Sequence, residues 1–151
     1  MLSLTKRTEY ALIAMCHLAH VGRKRVVSAR DIHEEHGVPL PLLMGVLKKL
    51  GHAGLVESVR GARGGYMLAL APEQLSLAAV IEAVEGPVQL VRCADLSKQN
   101  RRCALTKQCP IQRTVHRVHH QLRSFMSQVT IADLAFDGGS PTAEPTRTLS
   151  E

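Results

Sequence analysis

Residues 28–70 read SARDIHEEHGVPLPLLMGVLKKLGHAGLVESVRGARGGYMLAL, and this stretch decides the fold. Ser28 is a helix N-cap, with Asp31 three residues on to favour the helix start, so a short helix is expected over Ala29–Glu35. Gly37 ends it, because glycine tolerates the left-handed backbone that a helix stop requires. Pro39 and Pro41 stand where a helix can begin, and the next helix runs to about His52. Leu43, Val46, Leu47 and Leu50 make its inward stripe, leaving Pro41, Met44, Gly45, Lys48 and Lys49 to point elsewhere. Two helices joined by a tight glycine-containing turn make a helix-turn-helix. Leu55–Val59 and Tyr66–Leu70 then read as strands, and residues 60–65, RGARGG, as a mobile basic hairpin tip between them. A hairpin after a helix-turn-helix is a wing.

Working outward toward the N-terminus, Thr5–Val21 patterns as a helix. Its broad apolar face holds Ala11, Met15 and Leu18, flanked by Leu12, Cys16 and Ala19. Thr8, Glu9, His17 and His20 fall outside the centre of that face, and His17 reads as a surface residue. Cys16 reads as a small core residue. Toward the C-terminus, Ser76 caps a helix over Leu77–Val84 that stops at Gly86-Pro87. Pro110 opens a long helix to about Val129. Along it Ile111, Val115, Val118, Leu122, Phe125 and Val129 step by 4, 3, 4, 3 and 4, a heptad seam. The seam is too short for an isolated coiled coil, so it must pack against a second copy of the chain or against the chain's own first helix. Residues 130–135 form a last short turn of helix, and the small, polar, proline-bearing residues after them read as a disordered tail. The expectation is a mainly α chain: a winged helix-turn-helix with a two-stranded wing over 1–86, a cysteine-bearing loop over 87–109, a long C-terminal dimerisation helix over 110–135, and a tail over 136–151.

Composition narrows the partners. The 151 residues carry 19 Lys and Arg against 13 Asp and Glu, a formal charge of +6, which favours a polyanion. With no Trp, two Tyr and two Phe, the core must be aliphatic, and a stacking platform for single-stranded nucleic acid is not expected. No apolar run is long enough to span a bilayer, and the N-terminus meets charges too early for a secretory signal, so no membrane role and a cytoplasmic location are expected. The nucleophile-elbow, phosphate-loop and HExxH strings of common enzymes do not occur, and the chain is not expected to be an enzyme.

Three of the four cysteines, Cys93, Cys103 and Cys109, share one basic stretch with spacings of nine and five residues. In the cytoplasm thiols are reduced, and clustered thiols there more often serve metal or redox chemistry than disulfides. Iron–sulfur clusters require thiolates. Arg92, Lys98, Arg101, Arg102 and Lys107 lie in or beside the stretch, and their field favours thiolates and offsets a cluster's negative charge. Zinc and plain redox thiols remain the alternatives, although zinc usually takes tighter CxxC or CxxxxC pairs. His116, His119 and His120, soon after Cys109, are second-choice ligands and otherwise solvated helix residues.

The DNA-facing candidates are Lys48 and Lys49 on the second helix, Arg60 and Arg63 on the wing, Ser28 at a helix N-terminus, and Met44, which has the character to meet a thymine methyl. Arg63 is the candidate for groove entry, because its flanking glycines let the backbone come close.

The stretches LTKRTEYALIAMCHLA, residues 28–68, and the cysteine segment leading into CPIQ together resemble the IscR/NsrR-type family of dimeric winged-helix repressors over residues 2–130. The string GLVESVRGARGGYML is the most diagnostic piece, and the chain looks closest to the branch that regulates iron–sulfur assembly genes. The resemblance implies a homodimer on a palindromic operator in double-stranded DNA. It also implies an iron–sulfur cluster, [2Fe–2S] favoured and [4Fe–4S] possible, held by three cysteines and a fourth ligand. Glu9 is the first candidate for that ligand, since nitric-oxide-sensing members carry a carboxylate there, supplied by the partner subunit; its alternative is an ordinary surface charge. The chain departs from the family's C-x5-C-x5-C pattern in its first spacing, which puts the ligation in question. Two functions remain: a repressor gated by a cluster, and a cluster-free winged-helix regulator that answers to thiol redox state, zinc or a protein partner.

Overall fold

The computed structural model describes residues 3–91 and 108–136. Within them the chain forms helices α1 (Lys6–Val21), α2 (Ala29–His36) and α3 (Leu40–His52), then strands β1 (Val56–Val59) and β2 (Gly65–Leu68). A single 3₁₀ turn, Pro72–Gln74, leads to α4 (Leu77–Glu85), α5 (Gln112–Gln128) and α6 (Ile131–Phe136).

Local chemistry sets the boundaries. Thr5 caps α1 by accepting the Thr8 N–H. Ser28 and Asp31 form a reciprocal capping box on α2: Ser28 Oγ accepts the Asp31 N–H at 3.2 Å, and the Ser28 N–H donates to Asp31 Oδ2 at 3.1 Å. Gly37 ends α2 in the left-handed region at φ 67°, as the sequence predicts. Thr130 and Asp133 repeat the box at α6, and the two Thr130 hydrogen bonds hold the Asp133 carboxyl below its ordinary pKa.

Leu43, Val46, Leu47 and Leu50 of α3 are all buried against Ala11, Met15 and Leu18 of α1 and Ile32 of α2. Each such side chain contributes roughly 1.5–3 kcal/mol by leaving water. The same core takes Val80 and Val84 from α4 and Ile131 from α6, so α6 is bound into the winged-helix body. Two backbone bonds fasten it: Leu77 N–H to Val129 O at 2.8 Å and Ile131 N–H to Leu75 O at 2.7 Å.

β1 and β2 pair antiparallel, with Val56 opposite Leu68 and Val59 opposite Gly65. A third segment joins the wing: Val27 exchanges backbone bonds with Tyr66 at 2.9 and 2.8 Å. Gly65 permits this. A Cβ there would fall on the Val27 carbonyl. Gly64 and Gly65 therefore serve close internal packing, a role the sequence reading, which assigned the wing glycines to tip mobility, did not foresee.

Two polar residues of α1 are buried rather than exposed. Thr8 lies beneath Thr5, whose hydroxyl donates to Glu85 Oε1 on α4 at 2.6 Å. His17 is 7% exposed, covered by the end of α2. The surface reading of His17 is corrected on this point.

Candidate nucleic-acid interface and cysteine segment

α2, the turn at Gly37 and α3 present one side of α3 to solvent. Met44, Lys48 and His52, four residues apart, form its exposed stripe. Between this stripe and the hairpin lies a groove of about 830 Å³, lined by Met44, Gly45, Lys48, His52, Glu57 and Tyr66 among others. Arg60 and Arg63 are exposed at the wing tip. The structure thus brings Met44 and Lys48 to the groove lining. His52 was missed from sequence, although its i,i+4 spacing from Lys48 was the available signal.

Two further candidates have local duties. Ser28 Oγ is engaged as the α2 cap. Lys49 is exposed, yet its Nζ donates to the Val84 carbonyl at 2.5 Å, near the C-terminal end of α4. A cation there satisfies a terminal carbonyl and complements the helix dipole.

Of the proposed cluster ligands, Cys93 and Cys103 lie outside the described residues, as does most of the basic stretch around them. Cys109 is a half-buried free thiol just before α5. Glu9 sits in the first turn of α1, where its carboxylate pairs with Lys6 Nζ at 2.6 Å. That pairing raises the Lys6 pKa. Cys16 is also free and half-buried, and burial pushes its thiol pKa up, which keeps it protonated and unreactive.

α5 packs on α4, with Arg123 bonded to Glu82 at 2.7 Å. Its buried residue is His119, not the seam: Ile111, Val118 and Phe125 are 61, 45 and 48% exposed. His119 Nδ1 accepts the Leu90 N–H at 3.3 Å, which ties the segment entering the cysteine stretch to α5. Burial, and then the nearby His120, Arg123 and His116, lower the His119 pKa. The folded protein therefore binds this proton more weakly than the unfolded chain does. The contribution is complete above the ordinary imidazole pKa of about 6.5 and is lost as pH falls toward the depressed value. His119→Gln keeps an acceptor for Leu90 without the titration. Its melting temperature is expected to fall less between pH ~7 and ~5 than that of the parent; parallel losses would contradict this role.

No helix among the described residues is long and apolar enough to cross a membrane. Residues 4–137 match the Rrf2 family, described as iron-dependent transcriptional regulators. The chain is 32% identical over 136 residues to the HTH-type transcriptional regulator IscR of Aliivibrio salmonicida, covering 90% of this chain and 79% of that one. It is 29% identical over 133 residues to the regulator NsrR of Bacillus licheniformis, covering 88% and 92%. The fold is similar to CymR, the global cysteine regulator of B. subtilis, with a TM-score of 0.72 and 25% identity over 92% of this chain and all of that one. These relatives are regulators of transcription and not enzymes, which agrees with a helix-turn-helix and wing built for DNA. The chain belongs to the Rrf2 family of transcriptional regulators.

Proposed function

We propose that the chain acts in the cytoplasm as a homodimeric repressor of iron–sulfur assembly genes, and that its grip on a palindromic operator is gated by an iron–sulfur cluster. The observation that carries this reading is the grouping of Cys93, Cys103 and Cys109 between a winged helix and a helix with an exposed apolar seam, in a chain of this family. The donor set fits: three thiols in a basic segment match the requirement of such clusters for thiolates. Glu9 of the partner subunit would supply the fourth ligand, leaving its Lys6 pairing to do so. When bound, the cluster supplies a centre sensitive to oxidants, nitric oxide and iron supply. A carboxylate is displaced more readily than a thiolate, which suits a sensor.

In this reading the seam of α5 pairs with its copy in a second chain. The two reading units must then meet half-sites about one helical turn apart, so a small rotation between them changes affinity. The cysteine segment enters α5, and the His119–Leu90 bond couples the two. Lys48, Arg60 and Arg63 meet phosphates and groove, with Met44 against a base. Ser28 lies at a helix N-terminus, where anions are favoured. Lys49 takes the weaker share because it is held by Val84. Arg63→Ala is expected to weaken binding and to reduce the slope of log affinity against log salt by about one; an unchanged slope would remove Arg63 from the interface.

Anaerobic purification tests the cluster. A coloured protein with iron and acid-labile sulfide, lost on replacing Cys93, Cys103 and Cys109 by Ala, is expected; a colourless protein without either would overturn it. A second reading draws on the likeness to CymR: the cysteines act as thiols without a cluster, and the dimer answers to redox state, zinc or a protein partner.

A further inference from the structure

α1 and α2 bring three metal-ligating side chains together. His17 projects from α1, and Glu35 and His36 are the last two residues of α2, immediately before the turn at Gly37. His17 Nδ1 lies 3.0 Å from His36 Nε2 and 3.5 Å from Glu35 Oε2, and His36 Nε2 lies 3.7 Å from Glu35 Oε1. One donor atom from each residue falls within 4.8 Å of the others.

We propose that His17, Glu35 and His36 bind a divalent transition-metal ion, zinc above all, at a site separate from the three clustered cysteines. Geometry supports this first. Around a tetrahedral zinc with ligands at about 2.0–2.1 Å, neighbouring donor atoms stand roughly 3.3 Å apart. The two imidazole nitrogens, 3.0 Å apart, stand close to that edge, and each has a different Glu35 oxygen within 3.7 Å, so a turn of the exposed carboxylate brings one oxygen to the ion. Donor chemistry supports it second. Two imidazoles and one carboxylate are the set that zinc takes when a fourth position is left open, whereas magnesium and calcium select oxygen ligands.

The surroundings add a third argument. His17 is buried, so one ligand is fixed by packing, while Glu35 and His36 reach it from an exposed helix end. The imidazole rings cross at 87° with their centres 5.1 Å apart, so they converge edge to face instead of stacking. The fourth position opens on a cavity of about 520 Å³ walled by Leu12, Ile13, Cys16, His20 and Leu134. Water would complete the coordination from that side.

The consequence lies in what the ion ties together. α1 is part of the main core, and α2 is the first helix of the reading pair. An ion across them fixes the end of α2 at the turn that aims α3. Zinc then stiffens the reading unit and raises operator affinity by a route that does not use the clustered cysteines.

The test uses the full chain with Cys93, Cys103 and Cys109 replaced by Ser, so that the thiols cannot compete for metal. Stripped protein is titrated with cobalt and then with zinc. One ion per chain is expected, with the intense visible absorption of tetrahedral cobalt, no sulfur charge-transfer band, and a rise in melting temperature. Glu35→Gln and His36→Gln, both at exposed positions, are each expected to weaken zinc binding by about 100-fold and to abolish the melting shift. Failure to bind would overturn the proposal. So would binding that is unchanged in both variants, which would assign the ion to other histidines, or an octahedral cobalt spectrum.

Discussion

Replacing Val118 and Phe125 by Asp is expected to make the chain monomeric and to lower operator affinity by at least about 100-fold. Both side chains lie on the α5 seam and are nearly half exposed in the single chain. A carboxylate at each would have to be desolvated to pair with a second copy, which costs more than the seam returns. The affinity loss follows from linkage: two tethered reading heads gain about 10²–10⁴ over one by effective concentration. Sedimentation and operator binding on the same samples read both effects. The fold should survive, because the α5 residue buried against the body is His119. A double variant that stays dimeric with unchanged affinity would remove α5 from the interface.

The second large effect is on stability. Gly65→Val is expected to cost about 3 kcal/mol, since the new side chain collides with backbone at Val27 and breaks two hydrogen bonds that join the wing to the turn before α2. Gly45→Ala is the contrast. Nothing lies within 4 Å of a Cβ at Gly45, in the middle of α3, so alanine there should raise stability by about 1 kcal/mol. Chemical denaturation of both variants reads the difference. Equal effects would mean that the close approach of Val27 does not decide the residue at 65.

The contrast between these glycines shows what the sequence made legible. The reading unit was plain because its signals are local: Ser28 and Asp31 three apart, Gly37 at a stop, and Leu43, Val46, Leu47 and Leu50 at helical spacing all hold in the structure. The misses depend on partners remote in sequence. Gly65 meets Val27 across the whole of α2, α3 and β1, and no periodicity announces that contact. His17 is buried because the end of α2 returns over it, and Lys49 is engaged because α4 ends beside it. Polar side chains read singly look solvated; only the packing shows which are enclosed. Of the proposed cluster ligands, Cys109 and Glu9 are described, and the half-burial of Cys109 before α5 could not be read from its spacing.

His119 belongs to the same class. Its place on α5 marked it as a solvated histidine or a reserve ligand, yet it is enclosed and bonded to Leu90. The two described histidine groups lie on different elements: His119 on α5, bonded to Leu90, and His17 with His36 between α1 and the end of α2.

The most direct measurement is operator affinity of one anaerobic preparation, with iron and sulfide counted, before and after the iron is removed by chelation. The cluster-gated account predicts at least a ~10-fold change, a coupling of about 1.4 kcal/mol, that disappears when Cys93, Cys103 and Cys109 are replaced. Identical affinity with and without iron would contradict it.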